Sequence, residues 1–296
     1  LVIWVVAILI RFYGLNIKAQ IYDMMTFEAW SRTFWIQGPV NFFANVWSDY
    51  LPLPILTFAP ISLLSNLLHI PFELVFKILH ILAELILIFF ISKSLRHKYL
   101  LPIALLLLSP ALIGDNAFWG QVDTIPSLLS LLSLTSGSAF LFGLAVAYKP
   151  IMVLIAPLLW WSSFKRGDKW YRFPLVSMGI FFATGIPTGG INFVSHLFSR
   201  IFDQVGTYPF LTINAFNFWS LMPNLSWITD TTSVFSLSGH ALGLVIFFAL
   251  SLVTVLNWKK TGFDQKYIAR VAATILILFF TFTTRMHERH LLFGLP

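Results

Sequence analysis

Carboxylates next to indole and phenol rings recur in a chain that otherwise carries few charges. One stretch holds Tyr22, Asp23, Glu28 and Trp30, and a second Trp47, Asp49, Tyr50, Pro52 and Pro54. A third runs Gly114, Asp115, Asn116, then Trp119, Gly120, Gln121 and Asp123. A fourth reads Arg285-Met286-His287-Glu288-Arg289-His290. Such sets suit a sugar, because rings stack on its apolar face while carboxylates and amides hold its hydroxyls. A carboxylate within hydrogen-bond reach of a hydroxyl can take its proton. Arg grips a phosphate with two parallel bonds, and Lys meets it as a point charge. Each residue also has a plainer use. Asp23 could cap a helix, Trp and Tyr populate membrane interfaces, and Arg285 and Arg289 could snorkel to an interface.

The solvent for these groups follows from composition. Hydrophobic residues make up 58% of the chain and charged ones 10%, against roughly 45–50% and 25% in soluble domains. The chain therefore reads as an integral membrane protein, all-α and polytopic. With Cys 0 there is no disulfide, thiolate metal site or Cys nucleophile. The net charge of +7 comes from short basic loops between apolar runs, which argues against nucleic acid as a partner. A prokaryotic cell membrane is the expected location, with the endoplasmic reticulum as the alternative. The chain begins within one apolar run and stops as another starts, so residues 1–296 are expected to be one domain of a longer protein, truncated at both ends.

Three basic loops set the expected topology: Lys93/Arg96/Lys98, Lys165/Arg166/Lys169/Arg172 and Lys259/Lys260/Lys266/Arg270, whose only acids are Asp168 and Asp264. The positive-inside rule places 93–98, 164–172 and 258–270 in the cytoplasm. An even number of crossings must separate each from the next. Runs 173–191 and 239–257 supply two, with 192–238 outside between them. Runs 100–113, 122–134 and 138–163 would break parity unless 122–134 does not cross or 138–163 turns back near Lys149-Pro150; the turn is preferred, because Pro disfavours helix before it. The run 74–92 enters the cytoplasm at Lys93, so 11–73 is expected to be a large first external loop, with 52–68 an interfacial or re-entrant helix. The run 271–284 then delivers Arg285–His290 to the outer face.

Within 74–92, Glu73, Lys77, His80 and Glu84 form one stripe, and ionisable groups in a span face a polar cavity or one another. Lys77 and Glu84 should point into the protein, a direct pair being the structural alternative. His69, His196 and His240 are isolated and read as packed or interfacial. His287–His290 lacks His-Glu-x-x-His spacing, and Gly185–Gly190 reads as a kink rather than a phosphate loop. Asp115 and Asp123 could hold a divalent metal, but two acids rarely suffice; no cofactor is expected.

Taken in order, Asp23-x6-Trp30, Asp49-Tyr50-x-Pro52-Leu53, Lys77/Glu84, Gly120-Gln121-Val122-Asp123, Lys149, Asn214-x2-Asn217-x-Trp219 and His287-Glu288-Arg289 resemble the GT-C glycosyltransferases. The pattern is similar to the dolichyl-phosphate-glucose glucosyltransferases of N-glycan assembly and to bacterial mannosyltransferase-like membrane proteins. Tyr22 replaces a Gly of those glucosyltransferases, their His-rich stretch is missing, and Pro follows Lys149. The resemblance implies a GT-C helical bundle with interfacial helices in its first external loop. It implies inverting transfer of a hexose from a polyprenyl-phosphate sugar to a hydroxyl of a glycan, lipid or protein, on the non-cytoplasmic side. Asp23 would be the general base, with Asp49 and Glu28 its competitors. Glu28, Trp30, Asp49, Tyr50, Trp119, Gln121 and Asp123 would bind acceptor or sugar. Lys149, Arg285, His287, Glu288 and Arg289 would meet the donor phosphate. The alternatives are a transporter or flippase of lipid-linked sugars, and a non-catalytic scaffold.

Overall fold

A computed structural model describes residues 2–95, 100–189, 192–221, 228–260 and 267–294. Of the expected cytoplasmic charges, Arg96, Lys98, Asp264 and Lys266 lie outside the described residues. The chain is nearly all helical: α1 (Val2–Gly14), α2 (Ile21–Asn45), α3 (Pro52–Leu68), α4 (Phe72–Ser94), α5 (Leu100–Leu107), α6 (Pro110–Ile113), α7 (Thr124–Ser136), α8 (Ala139–Tyr148), α9 (Ala156–Lys165), α10 (Arg172–Ala183), α11 (Ile186–Gly189), α12 (Phe193–Gly206), α13 (Gly239–Lys260) and α14 (Ile268–Phe282). One small antiparallel hairpin, Ser233–Val234 with Leu237–Ser238, departs from the all-helical expectation. Among the described residues, three helices are long and apolar enough to cross a membrane: Phe72–Ser94, Leu100–Trp119 and Gly239–Lys260. They mark a membrane protein. Along α13 the residues Val245, Phe248, Leu252 and Val253 remain exposed, as expected for a helix whose solvent is lipid.

Local chemistry explains the breaks. Pro52 opens α3, where its missing N–H costs nothing, and His69 closes it in the left-handed region at φ 55°. Gly38 (φ 73°) and Pro39 kink α2. In the run Leu100–Trp119, Pro110 starts a new turn after Ser109, whose side chain accepts from the Leu112 amide. Residues Gly114–Trp119 then continue as π-helix. Asp115 and Asn116 thus belong to the end of that helical run, not to the open loop the sequence suggested.

The expected turn at Lys149-Pro150 is present. α8 ends at Tyr148, Lys149 is extended, and a 3-10 turn over Pro150–Ile155 leads into α9. Arg166, just past α9, donates to the Leu134 carbonyl at 2.9 Å. The two ends of this stretch therefore meet beside Gly137, and Lys149 stands at the opposite end. Gly143 lets α8 close on α10, since a Cβ there would lie 2.7 Å from the Ser177 carbonyl. The run expected to cross at 173–191 is instead broken after α10, which ends at Ala183 before the short α11.

The main core gathers α2, α3 and α4 around Phe27, which stacks on Phe76 at 5.4 Å and meets Phe58 at 4.9 Å. Buried ion pairs tie further elements to α4. Arg11 is fully buried and meets Glu84 through Nη2 at 2.5 Å and Nε at 3.0 Å. It also donates to the carbonyls of Ala7 and Leu107. Glu84 is the middle of α4, so Arg11 is an interior residue and not the start of an external loop, correcting the expected boundary. Lys77 is likewise buried but pairs with Glu73 at 3.2 Å and donates to the carbonyls of Ile17 and Gly14, closing the end of α1. Lys77 and Glu84 both face inward as expected, each with a partner other than the other.

Removing one member of a buried pair leaves an uncompensated charge and costs about 3–5 kcal/mol. Glu84→Leu should therefore lower the thermal midpoint in detergent sharply, whereas Lys93→Ala, on the exposed end of α4, should leave it unchanged.

Candidate functional site

Asp23 is not the cap of α2. That role falls to Gln20, whose side chain accepts from the Asp23 amide at 2.7 Å. Freed from capping, the Asp23 carboxylate accepts from Gln121 Nε2, from Trp119 Nε1 at 3.3 Å and from Arg289 Nη1 at 3.5 Å. Three segments separated by some of the longest intervals in the chain thus meet on one partly exposed oxygen. Gly120 makes this approach feasible. It adopts φ +79°, and a Cβ there would lie 2.7 Å from Met24 of α2. The Gln20 amide also donates to the Trp119 carbonyl at 3.0 Å.

Behind Asp23 lies Asp123, fully buried at the head of α7. One oxygen faces Lys149 Nζ at 2.8 Å and the other faces Arg289 Nε at 3.2 Å. Lys149 reaches this point because the break between α8 and the 3-10 turn directs it there, and its ammonium stands 5.1 Å from the Tyr50 ring centroid. Asp115 accepts from the Thr124 amide and hydroxyl, both at 3.0 Å. The two acids considered for a metal are therefore engaged by Lys149, Arg289 and Thr124, and among the described residues no three metal-binding side chains gather.

The run Arg285–His290 is held from outside its own helix. Asn217 donates to the carbonyls of Phe280 and Thr283 at 3.3 and 3.4 Å, and the buried Trp219 indole donates to Phe282 at 2.8 Å. The Arg285 amide donates to Phe210, and the Ile213 amide to Met286. The Asn214–Trp219 motif thus fixes where α14 ends and how its tail leaves. Arg285 has φ 66° and its Nε meets Asp230 at 2.6 Å. Burial opposes charge on Asp230, but the bonds from Arg285 and Thr284 hold its carboxyl below the usual range.

These groups border a cavity of about 350 Å³. Its lining combines Asp49, Lys149, Arg285, His287 and Arg289 with the apolar side chains of Ile151, Val153, Leu154, Leu244 and Phe279. Asp49 is raised from the ordinary carboxylate value by burial, with Lys149 and Arg289 opposing. Asp23 and Asp123 reach this cavity only through Arg289 and Lys149. His287 is lowered to about 4 by burial and by the charges of Arg289 and Lys149.

Several expected residues are placed elsewhere. Trp30 is buried, donates to the Trp47 carbonyl at 3.0 Å and packs edge-on to Tyr50, so no ring face is open to a sugar. Tyr50 is itself buried, beneath Lys149. Glu28 pairs with Arg32 at 2.6 Å on the exposed side of α2, bordering a separate cavity. Glu288 is half-buried with Oε2 enclosed and unbonded. Sequence reasoning passed over Asp230, Arg200 and Arg11. An arginine in an apolar run was the available signal for Arg11; nothing local marked Asp230.

Neutral His287 in the folded state and ordinary His in the unfolded one give a definite sign. The unfolded chain binds the proton first, so stability falls as pH drops from about 6.5 and stops falling below the folded value. The thermal midpoint should decline across that acidic window, and His287→Gln should flatten the decline. A slope identical in the variant would show that His287 is not the responsible group.

No protein-family model, curated protein or solved structure matches the chain, so any functional reading rests on the site itself.

Proposed function

We propose that the protein is an integral membrane glycosyltransferase that moves a hexose from a polyprenyl-phosphate sugar to an acceptor hydroxyl, with inversion. One observation carries this reading: one cavity is lined both by three cations, Lys149, Arg285 and Arg289, and by apolar side chains such as Ile151, Val153 and Leu244, with Asp49 on its wall and Asp23 bonded to Arg289. A lipid phosphate has that same division, an anionic head on an apolar tail. The volume falls in the range of small-molecule sites, roughly 300–1,000 Å³, and the mixture of carboxylates, amide and indole around Asp23 suits hydroxyls.

In the proposed reaction the acceptor oxygen bonds to the anomeric carbon from the face opposite the phosphate. The anomeric carbon–oxygen bond to phosphate breaks, and its electron pair stays on the departing polyprenyl phosphate. The acceptor proton passes to the Asp23 carboxylate. Gln121 and Trp119 hold one Asp23 oxygen, which orients the carboxylate. Asp123 keeps Lys149 and Arg289 side by side, so that the developing phosphate charge meets two fixed cations rather than reorganising water. The proposal places the site on the non-cytoplasmic face of a prokaryotic cell membrane, with a glycan, lipid or protein as acceptor. A second reading, translocation of a lipid-linked sugar, is favoured by the helix interruption at Lys149, a form that transporters use at their binding sites.

Transfer assays with a panel of radiolabelled polyprenyl-phosphate sugars, in proteoliposomes, separate the two. Label in an acceptor product supports transfer; label moved between leaflets with no product supports translocation. Within the transferase reading, Arg289→Ala and Arg285→Ala should raise the donor KM. Asp23→Asn should lower kcat by about 10²–10⁴-fold with donor still bound. Near-normal turnover of that variant would move the base to Asp49.

A further inference from the structure

α12 is tied to the segment that leads into Asp49. Its apolar residues Val194, Phe198 and Phe202 recur every four positions and are all exposed. At 100° per residue they occupy one strip of the helix. Asn192, Ser195 and Ser199 fall on the next strip and are exposed as well, while Leu197 on the opposite side is buried. A helix with one strip on protein, one apolar strip uncovered and one polar strip beside it has the pattern of a helix lying in a membrane interface. The uncovered strip is continuous with the apolar surface of α10: the Phe198 ring meets Phe182, which lies close to the α10 end, at 6.4 Å, and Leu175 and Met178 are exposed further along.

The buried side of α12 carries Arg200. Its guanidinium donates to the carbonyls of Phe43 at 2.5 Å, Val46 at 2.9 Å and Ser48 at 3.2 Å. Those three carbonyls belong to the end of α2 and the turn that leads directly into Asp49 and Tyr50. A planar fork with five donors suits such a task, and a lysine would not replace it.

We propose that α12 is an interfacial lipid-binding helix, with Val194, Phe198 and Phe202 in the bilayer, and that Arg200 transmits this seating to the segment carrying Asp49. Arg200 is then a positioning residue for the cavity wall. The inference does not depend on the transferase reading, because its test measures depth and mobility and not turnover.

The Cys-free chain, reconstituted in nanodiscs of anionic and zwitterionic phospholipid, takes single spin labels at positions 195, 198, 199 and 202. Labels at 198 and 202 should collide with oxygen more than with a water-soluble nickel chelate, and labels at 195 and 199 the reverse. Equal nickel access at all four positions would overturn the lipid assignment. So would shielding of 198 and 202 from both agents, the result for a strip covered by protein. A second label, introduced as Ala44→Cys on the exposed surface next to Phe43, reads the tie. Its mobility should rise in Arg200→Lys and in the Phe198→Ser/Phe202→Ser double variant; no change in either would overturn the coupling.

Discussion

A carboxylate with no water around it sets the arrangement of the site. Asp123 is fully buried, and the cost of burying its charge is offset by cations placed close to its two oxygens. Its two partners come from unrelated parts of the chain, Lys149 from the break after α8 and Arg289 from the tail after α14. Neutralising Asp123 therefore draws these two segments together beside α7. Once Arg289 is there, its Nη1 reaches Asp23, and Asp23 in turn receives Gln121 and Trp119 from the same loop that bears Asp123. Two of the cations around the cavity, Lys149 and Arg289, are thus placed by one acid, and the third, Arg285, by Asp230.

A second set of constraints holds that arrangement in register. Arg11–Glu84, and the bonds from Lys77 to the Gly14 and Ile17 carbonyls, fasten α1 to α4, and Asn116 adds a bond to Glu84 at 3.2 Å. Asn116 lies in the π-helical turn that ends at Trp119. The same element thus touches the buried pair at one end and presents its indole to Asp23 at the other. Polar groups in lipid cannot exchange partners with water, so these contacts specify geometry as well as compensating charge.

Much of this was legible in the sequence where a single physical pressure dominated. Apolar runs and their lengths gave the helices, Pro150 gave the break at Lys149, and the inward stripe of Lys77 and Glu84 followed from the cost of charge in lipid. Partner choice was not legible. Nothing at Glu84 distinguishes Lys77, two turns away on the same helix face, from Arg11 in another helix; packing of α1 decides it. Capping failed for a related reason: Asp23 is a better intrinsic cap than Gln20, but the bonds from Gln121, Trp119 and Arg289 outweigh that preference. Trp30 illustrates the same limit, since an indole near acids looks identical in sequence whether it faces a ligand or fills a core.

The lengths of α7 and α8 have a further bearing. They hold 13 and 10 residues, about 20 and 15 Å at 1.5 Å per residue, against a hydrocarbon core of about 30 Å. α4, with 23 residues, can span it alone. Neither α7 nor α8 can cross that core alone, and Asp123 and Lys149, which flank these two short helices, are both buried. Buried charges act through a medium poorer in water than the protein surface, and their pull on an anion is correspondingly stronger. An anion drawn to them must shed part of its hydration on the way in, a cost that the fixed cations have to offset.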